Sequence, residues 1–179
     1  MLSGERNRDL QFLCSFWIFR SALLPSYLKA LFDPSRKNVE YIHMEKITIE
    51  VTIEAPLKKV WNYWTNVEHI EGWAFASDDW GAEGISNHLQ KDGTFSSRMF
   101  AKDGSSEFIF SGKYNEVVEN KLLDYTLDDG RNVVVKFEET PTGVHITQSF
   151  EPESENPIKM QRDGWQEYLN NFKKYTENR

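Results

Sequence analysis

Four turn signals fix the character of this chain's second half: Lys91-Asp92-Gly93, Lys102-Asp103-Gly104, Asp128-Asp129-Gly130 and Pro141-Thr142-Gly143. An Asp-Gly pair between alternating segments favours a tight hairpin, because both residues tolerate positive φ. Asn120 marks one further turn. The intervening segments 94–101, 107–118, 122–127, 132–138 and 144–151 have strand length and strand composition. Links this short join antiparallel neighbours, since a parallel pair needs a crossover of about a dozen residues or more. Alternation then sorts the faces: Phe108, Phe110, Gly112 and Tyr114 share one side of their segment. The inward sets of the last three are Leu123, Tyr125 and Leu127, then Val133, Val135 and Phe137, then Val144, Ile146, Gln148 and Phe150.

Upstream, segment 46–54 alternates strictly. Ile47, Ile49, Val51 and Ile53 face one side, and Thr48, Glu50, Thr52 and Glu54 the other, as in a half-buried strand. Ala55-Pro56 stops it, and Pro56 starts a helix that turns Val60, Trp61 and Trp64 inward. Asn66 caps a shorter turn through Ile70. Residues 73–84, WAFASDDWGAEG, hold no period; with glycines at 81 and 84 they are expected to form a mobile lid. A strand at 85–90 leads into the first turn.

The chain ends on a helix from Pro157 to about Tyr175, with Asn156 as its cap and Pro157 at the first helical position. Trp165, Tyr168, Leu169, Phe172 and Tyr175 recur at three- and four-residue steps, while Arg162, Asp163, Gln166, Glu167, Asn170, Lys173 and Lys174 suit water. So broad an apolar stripe needs a concave sheet to receive it. The predicted class is α+β: a curved antiparallel sheet wrapped around a long C-terminal helix, with two short helices after the first strand.

Charge narrows the function. The 179 residues carry a formal charge of −7. Residues 1–43 hold six Lys/Arg against four Asp/Glu, leaving fifteen against twenty-four, or −9, in 44–179. An acidic body is a poor match for nucleic acid or anionic membranes. Cys14 is the one cysteine, so no internal disulfide forms, and a reducing, cytoplasmic setting is expected. No run is apolar for the ~18 residues that a spanning helix needs.

Residues 1–43 read as an N-terminal extension ahead of a domain at 44–179. Segment 10–19 superficially resembles a signal peptide, and 23–32 an amphipathic helix; the alternatives are disorder or an upstream start before Met44.

Six tryptophans and an aromatic content of 14% exceed what a core of this size requires, which points to a lined pocket. The candidate apolar lining is Trp64, Trp73, Phe75, Trp80, Met99, Phe110, Tyr125, Trp165 and Tyr168, with Ser97, Gln148 and Tyr125 as polar anchors on inward positions. Each also fits a plain core. Gly164 inside the helix and Gly112 inside its strand both leave room. Asp78 and Asp79, near His69, read as a solvated loop more readily than as an acid–base pair. The histidines fall at no metal-ligand spacing, and neither a phosphate loop nor a Gly-x-Ser-x-Gly elbow occurs. No catalytic residue, metal or cofactor is assigned.

The stretches MEKITIEVTIEAPLKKVWNYWTN, HIEGW, KDGTFSSRMFAKDGSSEFIFSGKYNEVV and MQRDGWQEYLNNFKKYTE, in this order, resemble the activator of heat-shock protein 90 ATPase homologue family. That family is a branch of the START-like (SRPBCC, birch-pollen-allergen-like) superfamily, and the resemblance covers 44–179. It implies the helix-grip fold with a cavity between sheet and last helix. Its co-chaperone members carry a further N-terminal domain, for which 43 residues are too short. Other branches of the superfamily bind lipids, sterols or hormones, or cyclise polyketides. The expected function is non-enzymatic binding of a small hydrophobic molecule. The alternatives are a chaperone-associated protein docking through Glu50, Glu54, Glu138 and Glu139, and a cyclase- or hydrolase-like enzyme.

Overall fold

The computed structural model describes residues 45–179. The readings made for 1–43, including Cys14 and His43, lie outside them. The elements are β1 (Ile47–Ile53), α1 (Leu57–Thr65), α2 (Val67–Ile70), β2 (Trp80–Asn87), β3 (Thr94–Ala101), β4 (Glu107–Val118), β5 (Leu122–Leu127), β6 (Asn132–Thr140), β7 (Gly143–Phe150) and α3 (Ile158–Glu177).

All seven strands form one antiparallel sheet in the order β1-β7-β6-β5-β4-β3-β2. Strands β2 to β7 are a meander, each paired with its successor, as the turn signals require. Strand β1 closes the far side against β7, with Ile47 opposite Phe150 and Ile53 opposite Val144. The sheet wraps α3, giving the α+β helix-grip arrangement expected from the sequence.

The helix also protects an edge. Gln166 Nε2 donates to the Glu50 carbonyl at 3.1 Å and Lys173 Nζ to the Thr52 carbonyl at 2.6 Å, so outward groups of β1 are satisfied by α3. An edge strand left open would template pairing with other chains.

The inward sets of β5, β6 and β7 are all buried. Their apolar members meet Leu169 and Phe172 of α3 and Val60 and Trp61 of α1 in the main core. Asn66 caps α2 as expected, its side chain accepting from the Glu68 amide at 3.1 Å.

Three local expectations change. First, Asn156 does not cap α3. Pro157 takes the cap position, with φ −57° and ψ 141° and no side-chain bond. The chain entering the helix is held from inside instead: Gln161 Nε2 donates to the carbonyls of Glu153 (3.0 Å) and Asn156 (2.7 Å), and its Oε1 accepts from the Glu153 amide at 2.9 Å.

Second, residues 73–84 are not one loop. Strand β2 starts at Trp80, and Gly81 and Gly84 lie within it, Gly84 at φ +61° where the register against β3 shifts. The irregular stretch is 71–79, and it is pinned: Trp73 is buried, its Nε1 donating to the Tyr63 carbonyl at 3.0 Å.

Third, at the first Asp-Gly turn Asp92 takes the positive φ, +65°, while Gly93 supplies space. A Cβ there would stand 2.0 Å from the His88 carbonyl oxygen.

Candidate functional site

Between the sheet's concave face and the N-terminal half of α3 lies a cavity of ~210 Å³. Its roof is one face of the helix. Gln161, Gly164, Trp165 and Tyr168 follow the three-, four- and seven-residue steps of a single stripe. Its floor is the inward register of β3, β4 and β5: Phe95, Ser97 and Met99, then Phe108, Phe110 and Tyr114, then Leu123 and Tyr125, with Gln148 from β7. Trp64, Ile70, Trp73 and Ala74 close one side.

Small residues keep this space open. Gly164 is buried in α3 where a larger side chain would project into the cavity. Gly112 on β4 makes room differently. A Cβ there would come within 2.5 Å of the Thr126 carbonyl oxygen and 2.8 Å of the Phe95 ring, which packs tilted against Tyr114 (5.2 Å) and edge-on to Tyr125 (5.1 Å between centroids).

The polar lining is mostly neutral. Ser97 and Gln148 are only 8% and 5% exposed. Burial pushes the Tyr114 phenol up to about 12, against the pull of Asn87, whose Oδ1 accepts from the hydroxyl at 2.9 Å. Burial, with Tyr114 as its neighbour, drives Tyr125 further up, opposed by the side chain of Gln148. Both phenols therefore remain protonated at neutral pH.

Two charged residues reach the lining. Arg131 has a side chain 10% exposed, and its Nε and Nη2 both approach Asp129 Oδ2 at 2.9 Å. Glu153 accepts from the amides of Glu155 and Asn156 in its own loop.

Nine of the eleven residues singled out from the sequence line this cavity: Trp64, Trp73, Ser97, Met99, Phe110, Tyr125, Gln148, Trp165 and Tyr168. Phe75 and Trp80 do not. They belong to a separate apolar cluster with Ala82, Met99 and Ala101, towards the far end of β2 and β3. Phe75 and Trp80 both come from a stretch without period, where aromatic character reports burial but not which void a side chain faces.

The sequence reading missed Phe95, Tyr114 and Gln161 among others. Phe95 stands two residues before Ser97 and was within reach of the same alternation. Gln161 is one turn before Trp165, but a glutamine reads as outward until its backbone partners are seen.

The acid–base grouping has no geometry. Asp78 and Asp79 are exposed, while His69 stacks on Tyr63 at 3.8 Å and contacts the Tyr175 hydroxyl at 3.1 Å. Among the described residues no three His, Cys, Asp or Glu are grouped to hold a metal ion, and no helix is long and apolar enough to cross a membrane.

Solved structures share this architecture. The chain is 38% identical to the AHSA1-like protein of Aeromonas hydrophila, over 74% of this chain and 92% of that one, with a TM-score of 0.71. A protein from Cytophaga hutchinsonii is 47% identical over the same shares, with a TM-score of 0.66. A protein from Chromobacterium violaceum, 17% identical over 72% and 95% with a TM-score of 0.65, shares the fold. No curated protein matches. A family profile described as "Activator of Hsp90 ATPase homolog 1-like protein" matches residues 54–177, and the chain belongs to that family.

Proposed function

We propose that this protein is a non-enzymatic binding domain that takes a small hydrophobic molecule into the cavity beneath α3, in the cytoplasm. The observation that carries this reading is the pairing of Gly164 with buried, inward Ser97 and Gln148 around an apolar void. A core built only for stability fills such space, because each unfilled methylene-sized gap costs about 1 kcal/mol. An apolar cavity of about 150 Å³ already admits benzene, and this one, at ~210 Å³, accommodates a somewhat larger molecule. Binding removes apolar ligand surface from water at ~25 cal/mol per Å², and the polar side chains set orientation.

The test is native mass spectrometry of the full chain purified gently from its own host. The expected result is a reproducible mass increment that disappears in Gly164→Leu. A bare protein whose thermal stability is unmoved by a panel of lipids and apolar metabolites would contradict it.

A second reading follows from the family description, which refers to an activator of the Hsp90 ATPase. On that reading the exposed carboxylates Glu50, Glu54, Glu138 and Glu139 dock on a chaperone. Capture of the chaperone by the full chain, unaffected by Gly164→Leu and lost on charge reversal of these four, would favour it over cavity binding.

A further inference from the structure

We infer that the cavity selects against charge: its ligand is an uncharged molecule, with an apolar body larger than one ring and a single neutral hydrogen-bonding group. This rests on the cavity-binding reading above and specifies the class of molecule bound.

Both charged groups at the cavity wall are already engaged from within the protein. The Arg131 guanidinium lies against Asp129 through two donors on one carboxylate oxygen. The Glu153 carboxylate accepts amide hydrogens from its own loop, and Gln161 spends both ends of its side chain on the same loop. A ligand anion would have to compete with Asp129 for Arg131 in a cavity that Glu153 also lines. The body it enters carries −9. A ligand cation would have to take Glu153 from the amides that hold the β7–α3 connection. An ion brought into apolar surroundings without a partner loses far more hydration than it regains.

The neutral groups tell the opposite story. Asn87 is consumed, accepting from Tyr114 and donating to the Thr65 carbonyl at 2.7 Å. Ser97 and Gln148 are the buried neutral groups of the wall, Gln148 hydrogen-bonding through its side chain to Tyr125. Both are more than nine-tenths buried and line the void. A hydroxyl and an amide on the wall of an apolar void together offer both donor and acceptor to a ligand hydroxyl or carbonyl.

The experiment is isothermal titration calorimetry of the full chain at neutral pH with four shape-matched probes: naphthalene, 2-naphthol, 2-naphthoate and 2-naphthylmethylammonium. The expected result is that naphthalene and 2-naphthol bind, with 2-naphthol at least about tenfold tighter than either ion. Gln148→Leu is expected to weaken 2-naphthol about fivefold to tenfold while leaving naphthalene within about twofold. Should Gln148→Leu not fold, as judged by circular dichroism, Ser97→Ala supplies the same comparison.

Tighter binding of 2-naphthoate, with the preference abolished in Arg131→Gln, would overturn the inference while leaving the cavity a binding site. Tighter binding of the ammonium probe would overturn it equally. Failure of naphthalene itself to bind would remove the binding reading and this inference together.

Discussion

The two halves of α3 do opposite things on one continuous stripe. In the C-terminal half, Leu169, Phe172 and Thr176 are 0% exposed, and Leu169 and Phe172 share a core with fully buried Ile53, Val60, Val144 and Ile146. Trp64 and Trp73 close on Phe172, each ring 4.8 Å away by centroid. In the N-terminal half, Gln161 and Gly164 take the same inward positions, and the sheet beneath them is left uncovered enough to hold ~210 Å³. Leucine and phenylalanine on the stripe make core; glycine and glutamine make a cavity. Two or three helix residues distinguish the filled half from the open one.

The comparison can be broken most forcefully at Phe172. Phe172→Ala should cost about 3–5 kcal/mol of stability, because the packed half cannot collapse onto the lost ring. Chemical denaturation reads this directly. A cost near zero would show that the two halves are equally loose.

Alkaline pH attacks the other half through its phenols. Tyr114 is raised from an ordinary value of 10.0 to about 12, and Tyr125 is raised further. Above pH ~10 the unfolded chain releases phenolic protons that the folded chain keeps, so stability falls with rising pH, by about 1.4 kcal/mol per pH unit for each phenol. Between pH ~10 and ~12 the loss from Tyr114 alone reaches about 2–3 kcal/mol. Denaturation midpoints across this window should decline steeply, and less so in Tyr114→Phe.

At the entry to the helix, Gln161→Ala should cost about 2 kcal/mol, because the Glu153 amide and the carbonyls of Glu153 and Asn156 lose their partner. Thermal melts measure it. The smallest effect has the opposite sign: Gly164→Ala should stabilise by about 0.5–1 kcal/mol, since alanine is the better helix former and Gly164 lines the cavity. Destabilisation there would mean that the half above the cavity is already full.

Much of the packed half was legible in sequence because alternation and helical period both report burial. Val133, Val135, Val144, Ile146 and Phe150 needed nothing more than their spacing. The cavity half was harder. Trp80 and Phe75 are aromatics from a stretch without period, and the structure places them in a different cluster. Glycines 81 and 84 hid a strand whose register shifts between Glu83 and Ser86. Asn156 has a capping side chain, but the helix starts one residue later than its spacing suggests, and Gln161 holds the entering loop, a role that only the three-dimensional loop reveals.

The most direct test of the account is a titration of the full, 15N-labelled chain with naphthalene, followed by amide chemical shifts. Perturbations gathered on Ser97, Tyr125, Gln161 and Gly164, with the amides of Leu169, Phe172 and Thr176 unmoved, are the predicted result. Shifts centred on the Phe172 end, or none at saturating probe, would contradict the claim that the first half of the helix roofs a binding cavity.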